Sequence, residues 1–287
     1  MASKAGRFAR MWEVCVMAEQ RETNDASAGP NPPGRNAGAP AWRYDESKSC
    51  GANFNSFFLA RAYDGFHQRF RDYRQEAEQI MTTLDLDPSA TVIDMGCGTG
   101  AFVLCAAQRY RTVYAVDPSK AMLHRARRKA RKAGLTNIEF RHGGFLSYEH
   151  ADEPVDAAVS SMALHHLPDF WKLVGLLHLA SMLRPAGRFY LADVVFSFDA
   201  ARYEPGIEEF IQGMSHKMGP HGRAAAERHV REEYSTCHWI MEGLLQRAGF
   251  QIDEVNYNYG FLAGYLCTKK VDSAPANPLT DAASQLR

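Results

Sequence analysis

The segment Val92-Ile93-Asp94-Met95-Gly96-Cys97-Gly98-Thr99-Gly100 constrains this chain more than any other. A short apolar run passes straight into glycines at alternate positions, and a helix-like stretch, Phe102–Tyr110, follows at once. Glycine lets a backbone turn sharply and lets a ligand come close to it, so a strand, glycine turn and helix in this order point to an open sheet. Such sheets bind nucleotide-like ligands at the carboxyl ends of their strands.

The rest of the chain repeats the alternation. Strand-like runs stand at 91–95, 112–117, 138–143, 156–161 and 188–195, with helix-like stretches at Phe102–Tyr110, Lys120–Lys132 and Phe170–Met182. Two late runs, 251–260 and 261–268, meet near Tyr259-Gly260 and predict an antiparallel hairpin. The expected fold is therefore α/β: a doubly wound, mostly parallel sheet of Rossmann-like kind, with an antiparallel edge hairpin and helices on both faces. Residues 91–270 form this domain.

Residues 41–90 predict an N-terminal helical cap. Aromatic residues recur there from Phe54 to Tyr73, either closing the mouth of the sheet or packing a helical layer onto its core. Residues 1–40 are expected to be a disordered leader, because Glu19–Pro40 is rich in Gly, Pro, Ala and Asn and has too little apolar surface to offset its ordering entropy. Residues 271–287 are expected to be a flexible tail.

The glycine loop alone fits two kinds of cofactor. Gly96-x-Gly98-x-x-Ala101 also satisfies a dinucleotide pattern, and Asp117, about 20 residues further on, suits a ribose in either case. The full set of motifs resembles class I S-adenosylmethionine (SAM)-dependent methyltransferases: VIDMGCGTG at 92–100, VYAVDPSKAML at 113–123, DAAVSSMALHHLPD at 156–169 and LRPAGRFYLADVV at 183–195. The resemblance runs from about Thr91 to Thr268. It implies that Asp94 and the loop Gly96, Cys97, Gly98 and Gly100 surround the methionine part of SAM. By the same resemblance Asp117, followed by Pro118, holds the ribose, and Met122 packs on the adenine.

A carboxylate at Asp94 suits a cationic ligand and would repel a pyrophosphate, although it also suits a cap on the following turn. The chain departs from the family at Gly143-Gly144, where relatives commonly place Gly-Asp, with the acidic side chain on the adenine amino group. Phe145 and the backbone of Gly144 are expected to hold the base instead. Ser160, at the end of the fourth strand-like run, is the remaining expected cofactor contact.

Displacement at a sulfonium methyl needs chiefly a positioned nucleophile and exclusion of water; a base matters only when the nucleophile must lose a proton. His165 is the candidate base, its alternative role being to fix the loop or cap the next helix. The stretch 197–230 carries Tyr203, Phe210, Met214 and His216, which suits a pocket for an apolar or aromatic small molecule, or a helical pair packed on the sheet. His216, His221 and His229 have no companion ligand set, so no metal site is expected.

Lys plus Arg balance Asp plus Glu at 33 each, so no net positive field invites a nucleic acid. The basic run Arg125–Lys132 reads as a solvated helix face whose last turn complements the helix dipole. Six cysteines without CxxC pairing read as reduced thiols, and no apolar run reaches the ~20 residues of a membrane span, which together predict a cytoplasmic protein without a membrane partner. The expected activity is methyl transfer from SAM to a small-molecule substrate. The alternatives are an RNA or protein acceptor, and a dinucleotide-dependent oxidoreductase.

Overall fold

Eight strands form one sheet in the computed structural model, which describes residues 40–271 apart from 49, 52, 69, 70, 220 and 221. The expected leader before Pro40, the tail beyond Val271 and His221 lie outside the described residues. The strands are β1 (Thr91–Met95), β2 (Thr112–Asp117), β3 (Ile138–His142), β4 (Val155–Ser161), β5 (Leu183–Phe196), β6 (Thr236–Cys237), β7 (Phe250–Asn258) and β8 (Leu262–Lys269). Their order is β3-β2-β1-β4-β5-β8-β7, with β6 beside the end of β5. Every pair from β3 to β5 is parallel, whereas β8 runs antiparallel to both β5 and β7. The doubly wound sheet and its edge hairpin are as expected.

Strand alternation sends apolar residues to both faces, as a sheet covered on both sides requires. Ile93, Met95, Tyr114, Val116 and Ala158 pack on one face against α5 (Asp169–Met182) and α8 (His238–Arg247), through Leu176, Leu179, Met241 and Leu245. Val92, Val113, Ala115, Ala157 and Val159 pack on the other against α2 (Tyr73–Leu84), α3 (Ala101–Ala106) and α4 (Lys120–Lys132), through Ile80, Leu84, Val103 and Leu123.

α3 stops at Ala106, short of the expected Tyr110. The Asn137 side-chain amide donates to the carbonyls of Ala107 and Tyr110, each at 2.9 Å, so these carbonyls bond to a side chain where a longer helix would bond them to its own backbone. No helix joins β3 to β4.

The segment before β1 divides into a helix packed on the core and a stretch that contacts the loops around the cavity. α2 belongs to the helical layer: Asp72 caps it by accepting from the N–H groups of Arg74 and Gln75, and its Ala77, Ile80, Met81 and Leu84 face the core. The chain ahead of it lies against the carboxyl ends of the strands. There the Arg43 guanidinium donates to Leu146 O, Tyr44 Oη donates to His166 O at 3.2 Å, and α1 (Phe57–His67) packs Ala60 on Ala121 and Met122. α6 (Tyr203–Met218) and α7 (Gly222–Glu232) form the excursion after β5, joined to the sheet through Phe210, Ile211, Ala226, Val194 and Phe261. No helix among the described residues is long and apolar enough to cross a membrane.

Candidate functional site

The strand order reverses between β1 and β4, and their carboxyl ends open a cleft at that switch point, where open α/β sheets take their ligands. Two loops meet there. Gly96 has φ +82°, and a Cβ on it would lie 2.4 Å from the Ala163 Cβ, so only glycine lets the loop after β1 pass the loop after β4. Gly98, at φ +53°, has nothing within 4 Å of the place a Cβ would take, and it lines the cavity.

Asp117 closes β2 and organises this loop. Its two oxygens accept from the N–H of Gly98 and the N–H of Ser119, both at 2.7 Å. Ser119 in turn caps α4, accepting from Met122 N at 3.1 Å and donating to Phe54 O at 2.7 Å. The cavity is thus tied to the segment that crosses its mouth. Thr99 adds a second tie by donating to Asp64 on α1, which also pairs with Lys129 at 3.1 Å and Arg125 at 3.5 Å. Two cations of the basic run therefore anchor α1.

Both cavity aspartates carry raised pKa values. Burial, then the neighbouring Asp117, pushes Asp94 up to about 8. Burial raises Asp117 to about 6 against the pull of the Ser119 and Gly98 N–H groups. A cationic ligand would reverse both shifts by favouring the ionised forms.

Of the residues expected at the cofactor, Asp94, Gly96, Cys97, Gly98, Asp117, Pro118, Met122, Gly144 and Phe145 line this one cavity. Gly100, Ser160 and His165 are not among its lining residues, and each has a physical reason. Gly100 packs α3 on α4, with a Cβ there meeting the Ala126 Cβ at 3.1 Å. Ser160 is fully buried in β4, and it is the next residue, Ser161, that lines the cavity, as the two-residue period of a strand dictates.

His165 needs a correction as a free base. It is buried on a 3-10 turn, Leu164–His166, with its backbone N–H donating to Asp193 Oδ2 at 3.1 Å, its Nδ1 against Asp193 Oδ1 and its Nε2 3.2 Å from Glu233 Oε2. Burial opposes its charge, but Asp193 and then Glu233 outweigh that and raise it to about 10. Buried, with a carboxylate on each ring nitrogen, His165 turns no free nitrogen to the cavity to take a proton from a substrate. The neighbouring His166 does line the cavity, with burial and then His165 lowering it to about 3.

The motifs did not point to Glu46. Its carboxylate lines the cavity and accepts from Leu146 N at 3.0 and 3.1 Å, and burial raises its pKa. It belongs to no motif; the one signal for it was the missing acid at Gly144. Cys50, Phe54 and Tyr63, which also line the cavity, come from the same N-terminal segment.

Residues 92–187 match the family described as a methyltransferase domain. An uncharacterized methyltransferase of Geobacillus kaustophilus is 27% identical over 198 residues, covering 69% of this chain and 86% of the relative. Among solved structures, a SAM-dependent methyltransferase from Aquifex aeolicus shares the fold with TM-score 0.55 at 19% identity, over 75% of this chain and 98% of its own. Magnesium protoporphyrin IX methyltransferase from Synechocystis, solved with bound SAM, does so with TM-score 0.53 at 16% identity, over 80% of this chain and 100% of its own.

Proposed function

We propose that this chain, a class I SAM-dependent methyltransferase, methylates a small molecule held between the loop after β1 and the N-terminal segment that crosses the cavity mouth. The observation that carries the reading is the convergence of Asp94, Gly96, Gly98, Asp117 and Met122 with Glu46, Phe54 and Tyr63 on one cavity. When bound, SAM supplies an electrophilic methyl group on its sulfonium.

Asp94 and the loop backbone suit the cationic methionine end. Asp117, already oriented by two N–H groups, has lone pairs left for the ribose hydroxyls. Met122, Phe145 and the Gly144 backbone suit the base, with Glu46 available to its amino group. Together these residues position the cofactor and exclude water, which supplies most of what this displacement needs.

Two features favour a small acceptor. The segment from Glu46 to Tyr63 lies along the cavity and narrows the approach of a macromolecule. Arg125 and Lys129 are engaged with Asp64, which takes two cations from the basic run a nucleic acid would use. The Synechocystis neighbour, by its name, also acts on a small molecule.

The test is the binding of S-adenosylhomocysteine (SAH), the demethylated product, followed by screening candidate acceptors with methyl-labelled SAM. A rise in Tm with SAH and methylation of a small acceptor are expected. Tight RNA affinity that collapses with salt, or label passing only to RNA or protein, overturns the small-molecule reading.

A further inference from the structure

Beside the cofactor loop, four stretches of the chain bring metal-binding side chains together. The turn after β4 supplies His165 and His166, β5 supplies Asp193, α7 supplies His229, the residue after α7 is Glu233, and the N-terminal segment supplies Cys50. One ligand atom each from His165, His166 and Glu233 lies within 4.8 Å of the others. The 3.2 Å between His165 Nε2 and Glu233 Oε2 is close to the spacing of two donors about 2.0–2.1 Å from one ion.

The surroundings have the form of a metal site. Asp193 takes the far nitrogen of His165, Nδ1, and so orients the ring with Nε2 toward the cluster, as a carboxylate behind a ligating histidine does. His229 Nδ1 stands 2.5 Å from the same Glu233 oxygen, and its other nitrogen is 2.7 Å from Ser235 Oγ. The backbone makes room for the carboxylate: a Cβ at Gly51 would lie 2.0 Å from Glu233 Oε1. Asp193 and Glu233 bring two carboxylates into a largely buried place, which one divalent cation would balance.

The geometry points to a site for one divalent transition-metal ion held by His165, His166 and Glu233, with its remaining position toward the cavity lined by His166 and Cys50. Two imidazoles and a carboxylate with a position left open are a ligand set of catalytic zinc. Of the three histidines whose sequence spacing gave no ligand set, His229 stands beside this cluster, on the same Glu233 oxygen. Resting on the methyltransferase reading, the site also indicates the acceptor's chemistry: a hydroxyl or thiol that binds the ion as its anion and releases its proton to solvent.

The experiment uses the untagged full chain, stripped with chelator and titrated with zinc alone and with SAH alone. One equivalent of zinc is expected. Glu233→Gln and His165→Ala are expected to weaken it by on the order of a hundredfold or more, and Asp193→Asn by about 10–100-fold. His216→Ala, on an exposed side chain, should leave it unchanged. Thermal melting of each stripped variant separates lost ligation from lost folding, and if Glu233→Gln does not fold, Asp193→Asn carries the comparison. With cobalt in place of zinc, adding a small thiol or phenol should change the visible spectrum.

Absence of stoichiometric zinc, or equal binding by the three site variants, overturns the site. A cobalt spectrum indifferent to both additives overturns the open position. SAH binding without zinc binding would leave the methyltransferase reading standing and the metal site rejected; zinc binding without SAH binding would do the reverse.

Discussion

The first carbon of a side chain at Gly144 would lie 2.5 Å from Glu46 Oε2, so the glycine leaves the space that the glutamate fills. Where relatives carry the acid on the residue after Gly143, this chain brings one from a segment about a hundred residues earlier, fixed by the Leu146 N–H. The Glu46 carboxylate thus lines the cavity beside the position where the motif lacks an acid.

Glu46→Ala is expected to weaken SAH binding by about 1.5–3 kcal/mol, the usual worth of a hydrogen bond to a charged group. Gly144→Asp alone should weaken it too, because the new carboxylate meets Glu46. Placing Gly144→Asp in the Glu46→Ala background should restore part of the loss. Calorimetric titration of the four proteins gives the coupling, and strictly additive losses would remove Glu46 from the adenine end.

The raised pKa values of Asp94 and Asp117 predict that SAH binding depends on pH. Their pKa values in the folded, ligand-free protein are about 8 and about 6, against about 3.9 in an unfolded chain. Between those limits the native state holds more protons than the unfolded state, so these two groups make stability fall as pH rises from about 4 to about 8. A cationic ligand favours the ionised forms and expels the protons. SAH affinity, through the ligand's ammonium group, should therefore rise from pH 6 to pH 8, with proton release visible as a dependence of the binding heat on buffer. Asp94→Asn should flatten most of that slope; a slope unchanged in Asp94→Asn would mean that Asp94 does not face the ligand's charge.

The sheet and the cofactor half of the cavity were legible because both rest on local pattern. A period of two marks a strand, and the glycines and Asp117 stand at the ends of adjacent strands β1 and β2, where the motif spacing places them. The long-range partners left no such trace. Glu46 reaches Leu146 across the fold, and His165 meets Asp193 and Glu233 from two other elements, so reading His165 as a base assumed a solvent-facing ring that tertiary packing denies it. Ser160 and Ser161 were indistinguishable by type, and only the strand's register decides which one lines the cavity.

Ser160 offers a direct check of that register. Its Oγ is buried and has no hydrogen-bond partner among the described residues. Ser160→Ala removes an unsatisfied hydroxyl and should be neutral or stabilising by up to about 1 kcal/mol, with SAH affinity unchanged. Loss of SAH affinity in a fully folded Ser160→Ala protein would put this hydroxyl on the ligand after all.

Asp64 joins the cover of the cavity to its floor. Its carboxylate takes Thr99 Oγ1 from the cofactor loop and Lys129 and Arg125 from α4, so one side chain ties α1 to both. The carboxylate is 9% exposed and the two cations about a quarter exposed, so the pairs are partly screened and worth less than fully buried ones. Asp64→Ala leaves two cations side by side with no anion between them, and should lower stability by about 1–3 kcal/mol. Because α1 packs on Met122, loosening it should also speed SAH release. Lys129→Met removes one cation with the attraction and should cost less than Asp64→Ala. Chemical denaturation gives the stabilities and stopped-flow displacement the release rates. Faster release at unchanged stability would make α1 a mobile cover, whereas a stability loss with unchanged release would confine Asp64 to holding the fold together.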